Sequence, residues 1–278
     1  MAFEPPLPSF ERPPLHEVAL SVQFEPLPQL SAAVLGLLWK PFRKEFPQAQ
    51  CHPPLDPVVE RVGVVPPARL GPVFVEGYPL PRLWFLNLAG NELVQVQQDR
   101  FVRNWRQVNE SDSYPRYERH VRPKFSGDYQ RFLAFLTDEG IPVPMPNQCE
   151  LTYVNLIQSS EGWTTHSDLA KVLRLCATDI EGVGGLAFED GRLALRHQIV
   201  DPSGAFLGRL HTTVEPRFQR SDNSPVIALT LTARGQPVGE GFDGILSFFD
   251  LARRKIVTTF AAITTSEMHR IWGRTDVR

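Results

Sequence analysis

Residues 148–158, QCELTYVNLIQ, decide how the rest of the chain is read. Leu151, Tyr153, Val154, Leu156 and Ile157 are apolar or aromatic, several of them β-branched, and Pro146 closes off what precedes them, so the stretch predicts a strand. Residues 15–24, LHEVALSVQF, have the same build: a proline just before, Glu17 where the other has Glu150, and an apolar run behind. The pair predicts the opening strands of two similar halves, residues 1–140 and 141–278.

Outward from the first strand, residues 28–46 predict a helix with Leu30, Val34, Leu37, Leu38 and Phe42 on one side, and Pro41 marking a kink or early stop. Residues 47–81 read as irregular, with a short strand at 58–65. A strand at 82–89, a turn at Gly90-Asn91 and a return strand at 92–102 make a hairpin. A helix over 126–139 has Ser126 at its N-cap, Gly140 at C′, and Tyr129, Phe132, Leu133 and Leu136 inward.

In the second half, Thr165 or Ser167 caps a helix that turns Leu169, Val172, Leu173 and Cys176 inward. Strand-like runs follow at 185–200, with a turn at Asp190-Gly191, at 206–218 and at 226–233. There Arg192, Arg196, Thr212, Thr230 and Thr232 alternate with apolar neighbours, as in a sheet wet on one face. The longest helix, 243–263, lines up Ile245, Phe248, Phe249, Ala252, Ile256, Phe260 and Ile263. Thr264-Thr265-Ser266-Glu267 then starts a short last helix ending at Trp272.

Each half thus reads β-α-β-β-β-(β)-α. The expected class is α+β: two such halves in one curved antiparallel sheet with helices on one face, the element order of TATA-binding-protein-like and helix-grip folds. That likeness concerns fold and carries no function.

A chain of 278 residues, 42% hydrophobic and 22% charged, excludes wholesale disorder. A net charge of −2 exerts no overall pull toward nucleic acid or anionic membrane. Three dispersed cysteines, Cys51, Cys149 and Cys176, and an opening MAFEPPLPSFERPP unlike a secretory signal, predict a reducing, cytoplasmic setting. No run approaches the roughly 18 apolar residues of a membrane helix, so no membrane partner is expected.

Signatures of common chemistries fail in turn. His16-Glu17 opens the letters of a zinc-protease helix, yet Leu20 stands where the second histidine belongs and the segment alternates like a strand. The seven histidines stand singly and no cysteine pair has C-x-x-C spacing, so neither metal nor cofactor is expected. Gly182, Gly184 and Ala187 match a dinucleotide fingerprint in letters only; a helix precedes and a hairpin follows, the reverse of what a pyrophosphate needs, and they predict a turn. Nucleophile-elbow and P-loop motifs are missing as well.

What remains is the polar content of the strands. Glu17 and Glu150 hold matching places, and a pseudo-twofold that brought them together would raise one pKa and make an acid–base pair. The plainer reading has each satisfying backbone donors or pairing with an arginine. Gln95, Gln97, Asp99, Arg100, Asn104 and Trp105 form a second group, either a recognition surface or a structural network with Trp105 in the core. Arg100, Arg103, Arg106, Arg116, Arg119, Arg122, Lys124 and Arg131, interleaved with Tyr114, Tyr117 and Phe125, suit phosphate contact and base stacking. Glu110, Asp112, Glu118 and Asp128 dilute that patch, which makes a solvated surface or protein interface the plainer reading.

Four motifs carry a resemblance: Pro14-Leu15-His16-Glu17-Val18; Gln97-Gln98-Asp99-Arg100-Phe101 leading to Asn104-Trp105-Arg106; Glu150-Leu151-Thr152-Tyr153-Val154-Asn155; and the C-terminal Trp272-Gly273-Arg274. Together they resemble a sporadically distributed family of uncharacterised bacterial and archaeal proteins of about this length. The resemblance implies no activity, cofactor or substrate; the patchy distribution resembles that of accessory genes, such as mobile or defence-associated ones.

The expected function is that of a non-enzymatic cytoplasmic binding or assembly protein, with another protein as partner, working through the sheet surface or a pocket beneath the long helix. The expected binding residues are Glu17, Gln97, Asp99, Arg100, Asn104, Trp105, Glu150, Tyr153 and Asn155. One alternative is a metal-independent enzyme or small-ligand sensor using Glu17, Glu150, Asp99 and Arg100 in a central cleft. Another is nucleic-acid binding through residues 100–131.

Overall fold

Strands that alternate apolar and polar residues must cover one face and leave the other to polar partners, and a single sheet here does both. The computed structural model describes residues 6–63, 80–176 and 186–276, and among these one curved, open antiparallel sheet has nine strands, accompanied by five α-helices. The strands are β1 (Leu15–Phe24), β2 (Gln48–His52), β3 (Arg82–Leu86), β4 (Glu92–Gln97), β5 (Arg100–Arg106), β6 (Pro146–Gln158), β7 (Leu193–Val200), β8 (Phe206–Phe218) and β9 (Pro225–Gly235). Their order is β2-β3-β4-β5-β1-β6-β9-β8-β7, which places β1 against β6 at the centre, Leu20 opposite Leu151.

Alternation sends Val18, Leu20 and Val22 of β1, Phe101 of β5, Val94 and Val96 of β4, and Leu151 and Tyr153 of β6 to the same side. Helices α1 (Ala32–Phe42), α2 (Arg122–Asp138) and α4 (Gly241–Ile263) pack there. Phe42 stacks on Phe85 at 5.8 Å, Phe132 on Phe101 at 5.3 Å, and Phe249 meets Phe125 edge-on at 4.9 Å. All seven residues of the expected α4 stripe are buried. Two short helices, α3 (Leu169–Val172) and α5 (Ser266–Ile271), complete the set, and Thr265 caps α5 by accepting from the Met268 amide.

Several expectations are corrected. Residues 92–102 are not one strand: a tight turn at Gln98-Asp99 pairs Gln97 with Arg100, so the run divides into β4 and β5, and Asn104, Trp105 and Arg106 belong to β5. Strand β2 lies in the segment read as irregular, whereas Val58 and Val59 form no strand; Val64 and Val65 lie outside the described residues. In α1 Leu37 faces solvent and Leu35 faces in, and the helix stops one residue beyond Pro41. Ser126 lies inside α2, which starts four residues earlier out of a short π turn, Tyr117–Val121. The helix expected after Thr165 is a single turn closed by a capping box with Asp168, and β7 is one strand with residues 186–192 irregular before it. Gly182 and Gly184 lie outside the described residues. Thr212 points toward the helices, with its hydroxyl unpartnered, instead of to the polar face.

Under α2 the core holds charge. Arg103, 3% exposed, reaches from β5 to Asp128 of α2 at 2.8 Å and to Glu92 of β4, which also bonds His120. Arg131 adds a second cation to Asp128 at 3.3 Å. The hydrogen-bonded arrangement offsets the cost of burying these ions, and removing one member leaves the others exposed to that cost.

At the far end of the sheet Gly208 and Gly235 face each other across β8 and β9. A Cβ on Gly235 would stand 2.1 Å from the Leu207 carbonyl oxygen and 2.6 Å from the Phe248 ring. Gly235→Ala is therefore expected to destabilise the protein by about 1–3 kcal/mol through overpacking, measured as a fall in the urea midpoint. An unchanged midpoint would show that β8 can slide away.

Candidate functional site

Strand β6 puts Tyr153 and Asn155 on the helical side, where α4 crosses it. The N-terminal arm closes the space from the other direction. Phe10 packs edge-on against Phe260 at 5.4 Å, Glu11 and Arg12 donate their amides to the Gly273 and Trp272 carbonyls, and Arg116 Nη1 donates to the Phe10 carbonyl at 2.9 Å. Between arm, π turn, β6 and α4 lies a cavity of about 570 Å³. Its apolar wall is Phe10, Leu15, Leu231, Ile256, Val257 and Phe260; its polar end is Tyr114, Tyr153, Asn155, Glu118, Arg116, Arg119 and Arg253. Volume and mixed lining are those of small-ligand sites.

At the polar end, the Tyr114 and Tyr153 hydroxyls bond each other at 3.0 Å. Burial raises the pKa of both, so they stay protonated at neutral pH and act as hydrogen-bond donors. Arg253 lies over the Tyr117 ring at 5.1 Å and pairs with Glu118 at 2.6 Å. Tyr117 donates to Asp250 at 2.9 Å, which fixes the π turn to α4. Two backbone features coincide here. Arg116 adopts φ 73° and ψ 141°, a conformation that side-chain-bearing residues avoid. The turn that follows it is of the π type that recurs at functional sites.

The opposite face of the sheet is polar and is crossed by a strap, residues 53–61, which leaves β2 at one edge and reaches β8. Gln97 accepts the Leu55 amide and donates to the Leu55 carbonyl, both at 2.9 Å. Gln23 accepts the Val58 amide at 3.0 Å and Gln148 the Glu60 amide at 2.9 Å. Arg100 donates to Gln23 and to the Asp56 carbonyl, and Arg209 to the Arg61 carbonyl. Glu60, buried, ends the row between Arg209 Nη1 at 2.5 Å and His211 Nε2 at 2.6 Å. The strap is held by polar contacts, and its Leu55 faces solvent.

The residues singled out in the sequence divide among three places. Tyr153 and Asn155 line the cavity, and Trp105 packs behind it, 5.6 Å from the Tyr114 ring. Gln97 and Arg100 hold the strap, and Asp99 sits in the β4–β5 turn bonded to Gln97. Glu17 accepts from Asn104, which accepts from Gln95, and Glu150 pairs with Arg234. The two glutamates do not meet. Their strands are neighbours, but each stands two residues from the Ala19–Thr152 pair in opposite directions, which separates them by about 13 Å at ~3.3 Å per residue. The basic stretch does not form one surface. Arg103 is internal, Arg106 bonds the Gly90 carbonyl, Arg122 pairs with Asp250, Lys124 with Glu45, Arg116 holds the arm, and Arg119 stands at the cavity rim.

The sequence reading passed over Phe10 and Arg253, and over the strap's Gln23, Gln148, Glu60 and Arg209. Arg253 had a signal: it falls four residues after Phe249, at the margin of the inward stripe. So did Gln23 and Gln148, long polar side chains at the alternate positions of β1 and β6 that face away from the helices. No protein-family model, curated protein or solved structure matches the chain. Among the described residues no helix is long and apolar enough to cross a membrane.

Proposed function

We propose that this is a non-enzymatic binding protein whose working site is the cavity beneath the long helix α4. The observation that carries the reading is the 570 Å³ space itself, apolar along α4 and polar at the tyrosine pair. The strained Arg116 at its wall supports it, since such backbone persists where surrounding structure enforces it. In this reading the scaffold consists of two related halves of helix-grip-like or TATA-binding-protein-like order. Support comes from the strand order, which runs outward from β1 through β5, β4 and β3 and from β6 through β9, β8 and β7.

The test uses N-phenyl-1-naphthylamine, a neutral dye that brightens in apolar surroundings. The protein is expected to bind it, and Val257→Trp, which fills the cavity from its half-buried wall, to weaken binding at least about tenfold, or ~1.4 kcal/mol. Val143→Trp, on an exposed site, serves as the control. A folded Val257→Trp protein that binds the dye like wild type would sink the reading.

A further inference from the structure

We infer that the ligand of this cavity is an amphipathic carboxylate, its apolar body along Leu231, Ile256, Val257 and Phe260 and its acid group turned to the Tyr114–Tyr153 end. The inference rests on the cavity being the working site and adds the chemistry of what fills it. Donors and charge at the polar end are out of balance with the acceptors there. The tyrosine pair has two hydroxyl hydrogens and one mutual bond, so one hydrogen is left without an acceptor among the described residues. Asn155, beside them, uses its amide on the Leu229 carbonyl.

Charge points the same way. Three guanidinium groups line this end against one carboxylate, and that carboxylate, Glu118, is paired with Arg253. Arg116 bonds the Phe10 and Glu11 carbonyls, which hold its side chain but do not neutralise it. Arg119, exposed at the rim, has no ion pair among the described residues. An occupant complementary to this end brings hydrogen-bond acceptors and negative charge. It also brings an apolar body, because the remaining wall gains only from apolar contact. A singly charged acid suits the site better than a dianion, since entering the cavity strips most of its water.

The probes are 4-phenylbutanoate, its methyl ester and 4-phenylbutylamine, which share one apolar body. Binding is measured by calorimetry and by displacement of N-phenyl-1-naphthylamine. The acid is expected to bind at least about tenfold more tightly than the ester, with the amine weakest. In Tyr114→Phe/Tyr153→Phe and Arg119→Gln proteins, the preference for acid over ester should shrink to about threefold or less, because the first removes both hydroxyl donors, the second a charge, and each leaves the apolar wall in place. If acid and ester bind alike, or the amine binds best, while Val257→Trp still abolishes dye binding, the carboxylate assignment is overturned and the cavity reading stands. If neither dye nor any of the three probes binds, both fall.

Discussion

Asp128→Ala is expected to lower the free energy of unfolding by about 3–5 kcal/mol, the usual cost of stranding a buried ion. Asp128 is 2% exposed and takes bonds from Arg103 and Arg131 on the underside of α2. Without it Arg103 keeps one carboxylate, Glu92, which already accepts from His120, and the neutral Asn104 carbonyl, so a guanidinium fork that met two carboxylates meets one. Urea denaturation measures the loss as a lower midpoint at unchanged slope. Asp222→Ala, in an exposed turn, should stay within about 0.5 kcal/mol of wild type and controls for the substitution. If Asp128→Ala also falls within that margin, Glu92 alone satisfies Arg103 and the network is redundant.

Glu60→Ala is the second large expectation, and its effect is local. Glu60 is the one buried residue of the strap, and without its carboxylate Arg209, 8% exposed, has no anionic partner among its described contacts. The same range of about 3–5 kcal/mol applies to the opening of the strap. Since each 1.4 kcal/mol is a factor of ten, amide exchange at Leu55, Val58 and Glu60 should rise more than about hundredfold. Limited proteolysis should then cut between residues 53 and 61, while the protection of β1 and β6 persists. Acid should do the same to the wild-type protein. Burial pushes the Glu60 carboxyl up, but hydrogen bonds from His211 and Arg209 outweigh it and hold the pKa below 4.5. A depressed carboxylate stabilises fully above its unfolded value and loses that contribution as pH falls through the folded one. Strap cleavage should therefore rise below about pH 4.5 in wild type and be insensitive to that step in Glu60→Ala. Equal protection of the strap in the two proteins would show that the glutamines hold it unaided.

The parts of the fold legible in the sequence are those where a single physical rule acts alone. Residues 15–24 and 206–218 alternate under one buried face, and β1 and β8 have those bounds. The α4 stripe repeats at helical period for about five turns and is buried throughout. Legibility failed where a tertiary partner decides. Residues 92–102 carry no glycine or Asn-Gly to announce the turn at Gln98-Asp99, which is fixed instead by pairing on both sides. Strand β2, QAQCH, is exposed nearly throughout and exists because β3 offers it an edge. At the site, Tyr153 and Asn155 were visible as polar residues on an apolar strand. Phe10 was not, and Arg253 showed only its place at the margin of the α4 stripe, because what makes them walls of one cavity is proximity across some 240 residues of chain. The proposed pairing of Glu17 with Glu150 failed on geometry: matching places in antiparallel neighbours lie on opposite sides of the crossing point.

The arm that walls the cavity is tied by Ser9 and Phe10 to Asp276 and Arg274, among the last residues described. At a ribosome adding roughly 5–20 residues per second, the first wall of the cavity therefore waits tens of seconds for the segment that holds it. Elements β1 to β5 and α2 all precede the residues of β6 and α4 that line the cavity. In the proposed function, occupancy of the cavity is thus a property that only a chain extended past Trp272 can acquire, and a small molecule trapped there would report that synthesis has run to that point.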